Sequence, residues 1–252
     1  MRLEADIHAA LTAKLRAAKR AAIFTGAGIS TESGIPDFRS KDGIWTKMAP
    51  IDFADYVASA TMRREAWRRR FAMDAVFGGA RPNRGHQAVA KLIQRGVASC
   101  VITQNIDNLH QDSGVPGAQI IELHGNTSYA KCLNCDLRVE LAPIREYFLQ
   151  HDEAPDCAVC GGLLKTATIS FGQAMPEREV ARAQAAATSC DLFLVLGSSL
   201  VVFPAADVPV LAVRQGAELV IVNREPTPLD DLAGLALHAG IGDTLDGALR
   251  AL

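Results

Sequence analysis

Short, continuously apolar runs punctuate the chain: AAIFT at 21–25, CVIT at 100–103, IIEL at 120–123, LFLVL at 192–196 and ELVIV at 218–222. Runs of this length without polar alternation suit strands buried on both faces. Helical patterns separate them, and strands joined through helices build a parallel sheet covered on both sides, with ligands at the carboxyl ends. Each run is followed by small or polar residues: Gly26 onwards after the first, then TQNID, HGN, GSS and VNRE. One such cluster is ordinary turn and cap chemistry. Five on one sheet edge predict a functional crevice.

The first of these loops, FTGAGISTESGIPDFRS at 24–40, begins a G-x-G-x-x-G pattern with Gly26 and Gly28 but has Thr31 in the third glycine position. Missing side chains let a backbone approach a phosphate. A bare G-x-G also serves as a tight strand-to-loop connection. Gly34 and Pro36 interrupt the helix that normally follows, so the loop reads as one adapted for something other than an ordinary dehydrogenase.

Between Leu123 and Asp191 the strand–helix alternation stops. There Cys132-x-x-Cys135 is followed by Cys157-x-x-Cys160. Two such pairs present four thiolates in a tetrahedron, the ligand set of a structural zinc ribbon, with no position left for metal catalysis. The rival, a pair of redox dithiols, needs a thioredoxin-like unit around an isolated C-x-x-C. Cys100 and Cys190 sit beside apolar runs and read as buried, inert thiols.

Length and charge narrow the class. The 252 residues accommodate one large domain with a small insertion, and the net charge of −2 offers no broad field for nucleic acid. Arg63, Arg64, Arg68, Arg69 and Arg70 surround Trp67 and Phe71 at helical spacing, which reads as an apolar side packed inward and arginines in water. Neither a signal-peptide core nor an apolar run of 18 residues is visible, so a cytoplasmic, soluble protein with no membrane or nucleic-acid partner is expected.

In order along residues 20–245, GAGIS with ESGIPDFR, TQNIDNLH, ELHGN, the paired C-x-x-C, FG at 171–172, GSSLVVFPAA and VIVN resemble the sirtuins, NAD-dependent protein deacylases, in a minimal bacterial-type form. The resemblance implies an α/β fold: a Rossmann-like parallel sheet formed by 1–127 and 172–252, and a zinc-ribbon module at 128–171 completed by part of the 40–80 region. It implies NAD as co-substrate, one structural zinc on Cys132, Cys135, Cys157 and Cys160, and acyl-lysine proteins or peptides as partners. The acyl group would pass from lysine to ADP-ribose with release of nicotinamide.

Residue by residue, the resemblance makes His124 the general base, a role that suits an imidazole at neutral pH, and gives Asn105 the ribose with Gln104 nearby. Gly26, Ala27, Gly28, Ser30, Gly197, Ser198, Ser199 and Asn223 would hold the phosphates and adenosine. Asp37, Phe38 and Arg39 belong to the loop closing over the nicotinamide ribose, while Ile106 and Asp107 would line the nicotinamide pocket. Ile169, Phe171, Gly172 and Val202 would border the acyl-lysine channel. Departures fall at Gln173, where the family commonly has Glu, and at Thr166, a proline position; both concern peptide docking. The helix at 64–77 places Arg70 and Met73 where acidic-acyl sirtuins carry a Tyr-x-x-Arg pair, so neutral acyl groups are expected. The competing readings are an ADP-ribosyltransferase or NAD glycohydrolase and, from another class, a zinc-ribbon scaffold. Oligomeric state is not legible; a monomer is compatible.

Overall fold

A computed structural model describes residues 2–37 and 43–252, apart from the side chains of 2–6, 47, 75 and 76. Along the chain, α1 (Arg2–Ala17) leads to β1 (Ala21–Thr25), a 3-10 helix (Ala27–Ser33), α2 (Ile44–Lys47), α3 (Phe53–Ala58), α4 (Ala60–Ala72), α5 (Asp74–Gly79), α6 (Arg84–Gln94) and β2 (Ala98–Thr103). Next come α7 (Leu109–Asp112), β3 (Ile120–Glu122), β4 (Gly125–Cys132), β5 (Arg138–Glu140), α8 (Leu141–His151) and β6 (Leu164–Thr168). The chain ends with α9 (Glu177–Ser189), β7 (Leu192–Leu196), α10 (Asp207–Arg214), β8 (Glu218–Val222), β9 (Leu235–Leu237) and α11 (Ile241–Arg250).

Six strands form a parallel sheet in the order β3-β2-β1-β7-β8-β9. This is the doubly wound order, whose direction of winding reverses between β1 and β7 and so opens a crevice at their carboxyl ends. Successive residues of one strand feed opposite faces. Leu192, Leu194 and Leu196 join the core formed with α1, α6 and α11, while Phe193 and Val195 join that formed with α9 and α10. All five expected strands are present. The three-residue β9, paired with β8 at the sheet edge, is not among the expected runs.

A second, three-stranded antiparallel sheet, β5-β4-β6, occupies the stretch where alternation lapsed. Its core brings Trp67 of α4 together with Ala130, Cys132, Ile144, Phe148 and Leu164. The expected 64–77 helix divides at Met73 into α4 and α5. Trp67 packs inward as the spacing implied, but Arg70 departs from the solvent-facing reading: only 12% of its side chain is exposed. Cys100 and Cys190 are buried, and burial raises both thiol pKa values, keeping them protonated. No helix among the described residues is long and apolar enough to cross a membrane.

Candidate active site

The crevice is made by two strand-end loops pressed together. Gly26 N–H donates to the Leu196 carbonyl at 3.1 Å, and Gly28 N–H to that of Gly197 at 2.8 Å. A Cβ on Gly28 would lie 2.8 Å from the Gly197 backbone. The first-loop glycines are thus required by contact between the loops themselves, a reason for them that the G-x-G pattern did not disclose. The 3-10 helix stops at Gly34, whose left-handed backbone (φ 82°) returns its N–H to the Ser30 and Thr31 carbonyls.

Beside this pair, the loop after β2 holds a buried polar network. Asn105 donates both side-chain hydrogens inward, to the Gly26 carbonyl and Ser30 Oγ, each at 3.1 Å. Its Oδ1 is left as the acceptor for a ligand. Ser30 Oγ donates to Asp107 Oδ2 at 2.6 Å, and Leu109 N–H caps the other carboxylate oxygen at 3.0 Å. Burial raises the Asp107 pKa, and these two hydrogen bonds partly counter it. Gln104 reaches across to Ser198 Oγ at 2.7 Å. Ala27, Ser30, Ile35, Phe77, Asn105, Ile106 and Asp107 line one cleft, combining two acceptor groups with apolar walls.

His124 lies in the tight turn between β3 and β4. That turn depends on Gly125 at φ +72°, where a Cβ would meet the Ala167 carbonyl oxygen at 1.9 Å. His124 Nδ1 sits 3.1 Å from the Gln104 carbonyl. A carbonyl only accepts, so Nδ1 carries the hydrogen and Nε2 is the basic nitrogen. Ile169 N–H donates to the His124 carbonyl at 2.9 Å, bringing the candidate base and the channel candidate together. Phe171 is 42% exposed; its carbonyl accepts from Phe53 N–H at 2.9 Å, and its ring meets Trp45 edge-on at 5.1 Å. Gly172 follows in a left-handed conformation. Gln173 Oε1 accepts Ser170 N–H at 3.2 Å, a contact that a glutamate oxygen could equally make, so the Gln departure preserves the turn.

Val202 opens the turn that leads to α10, its carbonyl accepting from Ala206 N–H. Ser199 follows Ser198 directly, and Asn223 at the end of β8 is pinned by the Leu237 carbonyl at 3.1 Å and donates to that of Glu225 at 2.7 Å. Asp37 accepts Ile44 N–H through its carbonyl at 2.9 Å. Phe38 and Arg39 lie outside the described residues.

The four cysteines converge. Their sulfurs all lie within 4.8 Å of one another, with Cys132–Cys160 at 3.5 Å and Cys135–Cys157 at 3.7 Å. Zinc–thiolate bonds of about 2.3 Å in a tetrahedron put sulfurs about 3.8 Å apart, so the ligand set fits. Each pair closes a similar knuckle: Asp136 N–H returns to the Cys132 carbonyl and Gly161 N–H to that of Cys157, both residues having positive φ.

A model of the Sir2 family matches residues 26–204. The chain belongs to the Sir2 family. This sirtuin is 58% identical over 228 residues to the NAD-dependent protein deacetylase 1 of Bradyrhizobium diazoefficiens, covering 90% of this chain and 89% of the relative. It is 55% identical over 222 residues to the NAD-dependent protein deacetylase of Rhodopseudomonas palustris, 88% of each. A solved Sir2 variant with deacetylated p53 peptide and 3′-O-acetyl ADP-ribose superposes with a TM-score of 0.87 at 34% identity, over 96% of this sirtuin and 97% of that chain.

Sequence reasoning gave no role to the layer beneath the crevice. His86 Nδ1 accepts Asn83 N–H at 3.4 Å in a capping box, and its Nε2 lies 3.4 Å from Ser30 Oγ. Burial holds His86 neutral, its pKa pushed down to about 4. The Asn-x-x-His spacing at 83–86 was the available signal, since it is the shape of a helix start. Arg70 was noticed for its charge, yet its guanidinium is taken up by the Thr127 carbonyl, at 3.1 and 3.0 Å, and by Asp74.

Proposed function

We propose that this sirtuin removes neutral acyl groups from lysine side chains of proteins, consuming NAD, with His124 as the base and Asn105 as the ribose-orienting residue. When bound, NAD supplies the electrophilic ribose carbon, the nicotinamide leaving group and the hydroxyl that receives the acyl group. The lining of the cleft suits its nicotinamide–ribose end: Asn105 Oδ1 would accept from a ribose hydroxyl and the Asp107 carboxylate from the carboxamide, with Ile35, Ile106 and Phe77 as apolar walls. Apolar walls there would limit the water that competes with the weak acyl nucleophile. Gly26, Gly28, Gly197 and Ser198 hold the remainder along the switch point.

The observation that carries the reading is the 3.1 Å contact between His124 Nδ1 and the Gln104 carbonyl, from which the tautomer follows. With Nδ1–H given to the Gln104 carbonyl, the basic Nε2 is directed by the same loop that presents Asn105. His124 then takes a ribose proton at Nε2. Its carbonyl bond to Ile169 N–H supports a base beside the acyl-lysine channel that Ile169, Phe171, Gly172 and Val202 would border. Zinc held by the four cysteines cross-links the small module and contributes folding energy, not chemistry.

Neutral acyl specificity follows from Arg70. All three nitrogens of its guanidinium already face acceptors, so the position offers no cation to an acyl carboxylate, and a buried unpaired carboxylate is costly. The test is incubation with NAD and acetyl-, butyryl- and succinyl-lysine versions of one peptide, following nicotinamide and acyl-ADP-ribose by mass spectrometry. ADP-ribosylated protein, or nicotinamide without acyl transfer, would replace this reading with a transferase or glycohydrolase.

A further inference from the structure

Beneath Asn105 a row of polar groups crosses the sheet where almost everything else is apolar. Thr25 and Thr103 are register partners on β1 and β2, and their hydroxyls meet at 2.8 Å with Thr25 as donor. Thr103 Oγ1 also accepts Asn105 N–H at 3.0 Å. On the far side, His110 Nε2 lies 2.9 Å from Thr25 Oγ1. Thr25 has one hydroxyl hydrogen and spends it on Thr103, so His110 must donate. All four residues are buried: His110 is 1% exposed and Asn105 6%.

The bonds therefore converge from two sides: His110 Nε2–H donates to Thr25, Thr25 donates to Thr103 Oγ1, and the same oxygen accepts the Asn105 backbone N–H. This relay also closes a loop on itself. Asp107 caps Leu109 N–H, which starts α7 and turns His110 back under Thr25. The last residue of the loop thus supports its first functional residue. His110 Nδ1 has no hydrogen-bond partner among the described residues, and the ring meets His86 edge-on at 5.1 Å. A buried orphan acceptor costs free energy, which a residue chosen for packing alone would avoid.

We propose that His110 is a positioning residue for deacylation. Its Nε2–H holds the Thr25–Thr103 relay, and through it the backbone of Asn105, so that Oδ1 meets the ribose; it transfers no proton. The inference rests on the reading of Asn105 given above.

His110→Phe keeps an aromatic ring but removes the donor. Small displacements of orienting groups cost up to about 100-fold, so kcat for deacetylation should fall roughly 10- to 100-fold while KM for the acetyl peptide holds. The pH–rate profile should keep its shape, because His124 remains the base. His110→Gln, with an amide donor, should restore most of kcat. Thr103→Val should cost a similar factor, and the double variant no more than the worse single, as expected of groups acting as one unit; it also reports independently if His110→Phe does not fold. Wild-type kcat in folded His110→Phe, additive losses, or losses in the Phe and Gln variants that follow Tm would each overturn the proposal. Asn105→Ala separates the two claims: full turnover there would remove the role of Asn105 itself, whatever the behaviour of His110.

Discussion

The crevice and the cysteine module solve the problem of holding polar atoms in place by opposite means. In the crevice, Ser30, Asn105, Ser198 and His110 are buried under strand ends, and each is fixed by hydrogen bonds to neighbours that the parallel sheet had already ordered. In the module, Cys135 and Cys160 are exposed, and only Cys132 and Cys157 reach the small core. There the order comes from four thiolates drawn to one point. A neutral network in a low-dielectric interior is stable only when nearly every member is satisfied, whereas a metal-thiolate cluster supplies its own folding energy. The first region should therefore lose function before stability, and the second stability before anything else.

The largest expected effect breaks the module. Cys157→Ser should release zinc, melt the β5-β4-β6 sheet and abolish turnover, while hydrogen exchange in β1, β2, β7 and β8 stays slow. Full activity in a sample shown by elemental analysis to lack zinc would end the structural-metal account. The crevice is tested by His124→Ala, which should cost about 10²–10⁴ in turnover with Tm and NAD binding retained; near-normal formation of acyl-ADP-ribose by the folded variant would exclude His124 as the base.

A smaller effect sharpens the view of Arg70, which stands between the regions, running from α4 to Thr127 of β4. The acetyl peptide should exceed its succinyl counterpart in kcat/KM by roughly 10- to 100-fold, the cost of an unpaired buried charge. Equal values would mean that an arginine does serve the channel. The last effect is on stability and concerns pH. His86 and His110 stay neutral in the fold down to about 4 and about 3, chiefly through burial, but titrate near 6.5 when unfolded. The unfolded state thus takes up their protons first, and stability present above pH 6.5 is lost as pH falls towards 4, by at most about 1.4 kcal/mol per pH unit for each histidine. Asp107 and Glu122, whose pKa values burial raises, act in the opposite sense at the acidic end. Urea midpoints from pH 7.5 to 4.5 should show a slope shallower in His110→Phe than in the parent; parallel curves would mean that His110 is charged or exposed.

The sequence by itself determined the parallel sheet, the edge where chemistry collects and the four-cysteine cluster, because each is written in local spacing: apolar runs of strand length, polar residues at their ends, and two C-x-x-C pairs. The residues singled out as His124, Asn105 and Asp107 stood within those strand-end clusters, and the tertiary structure placed Asn105 and Asp107 in one cleft and bound His124 to the loop that carries them. Only that structure decided why Gly28 must be glycine, since its reason is Gly197, far along the chain and adjacent only after β1 and β7 pair. The same holds for Arg70, which its spacing assigned to water and the fold turned towards Thr127, and for β9, too short to carry a pattern. His86 and His110 were invisible as a pair for the same cause. A buried imidazole takes its meaning from the acceptor it meets, and that acceptor lies on another strand, at a distance that the packing of helices on the sheet alone sets.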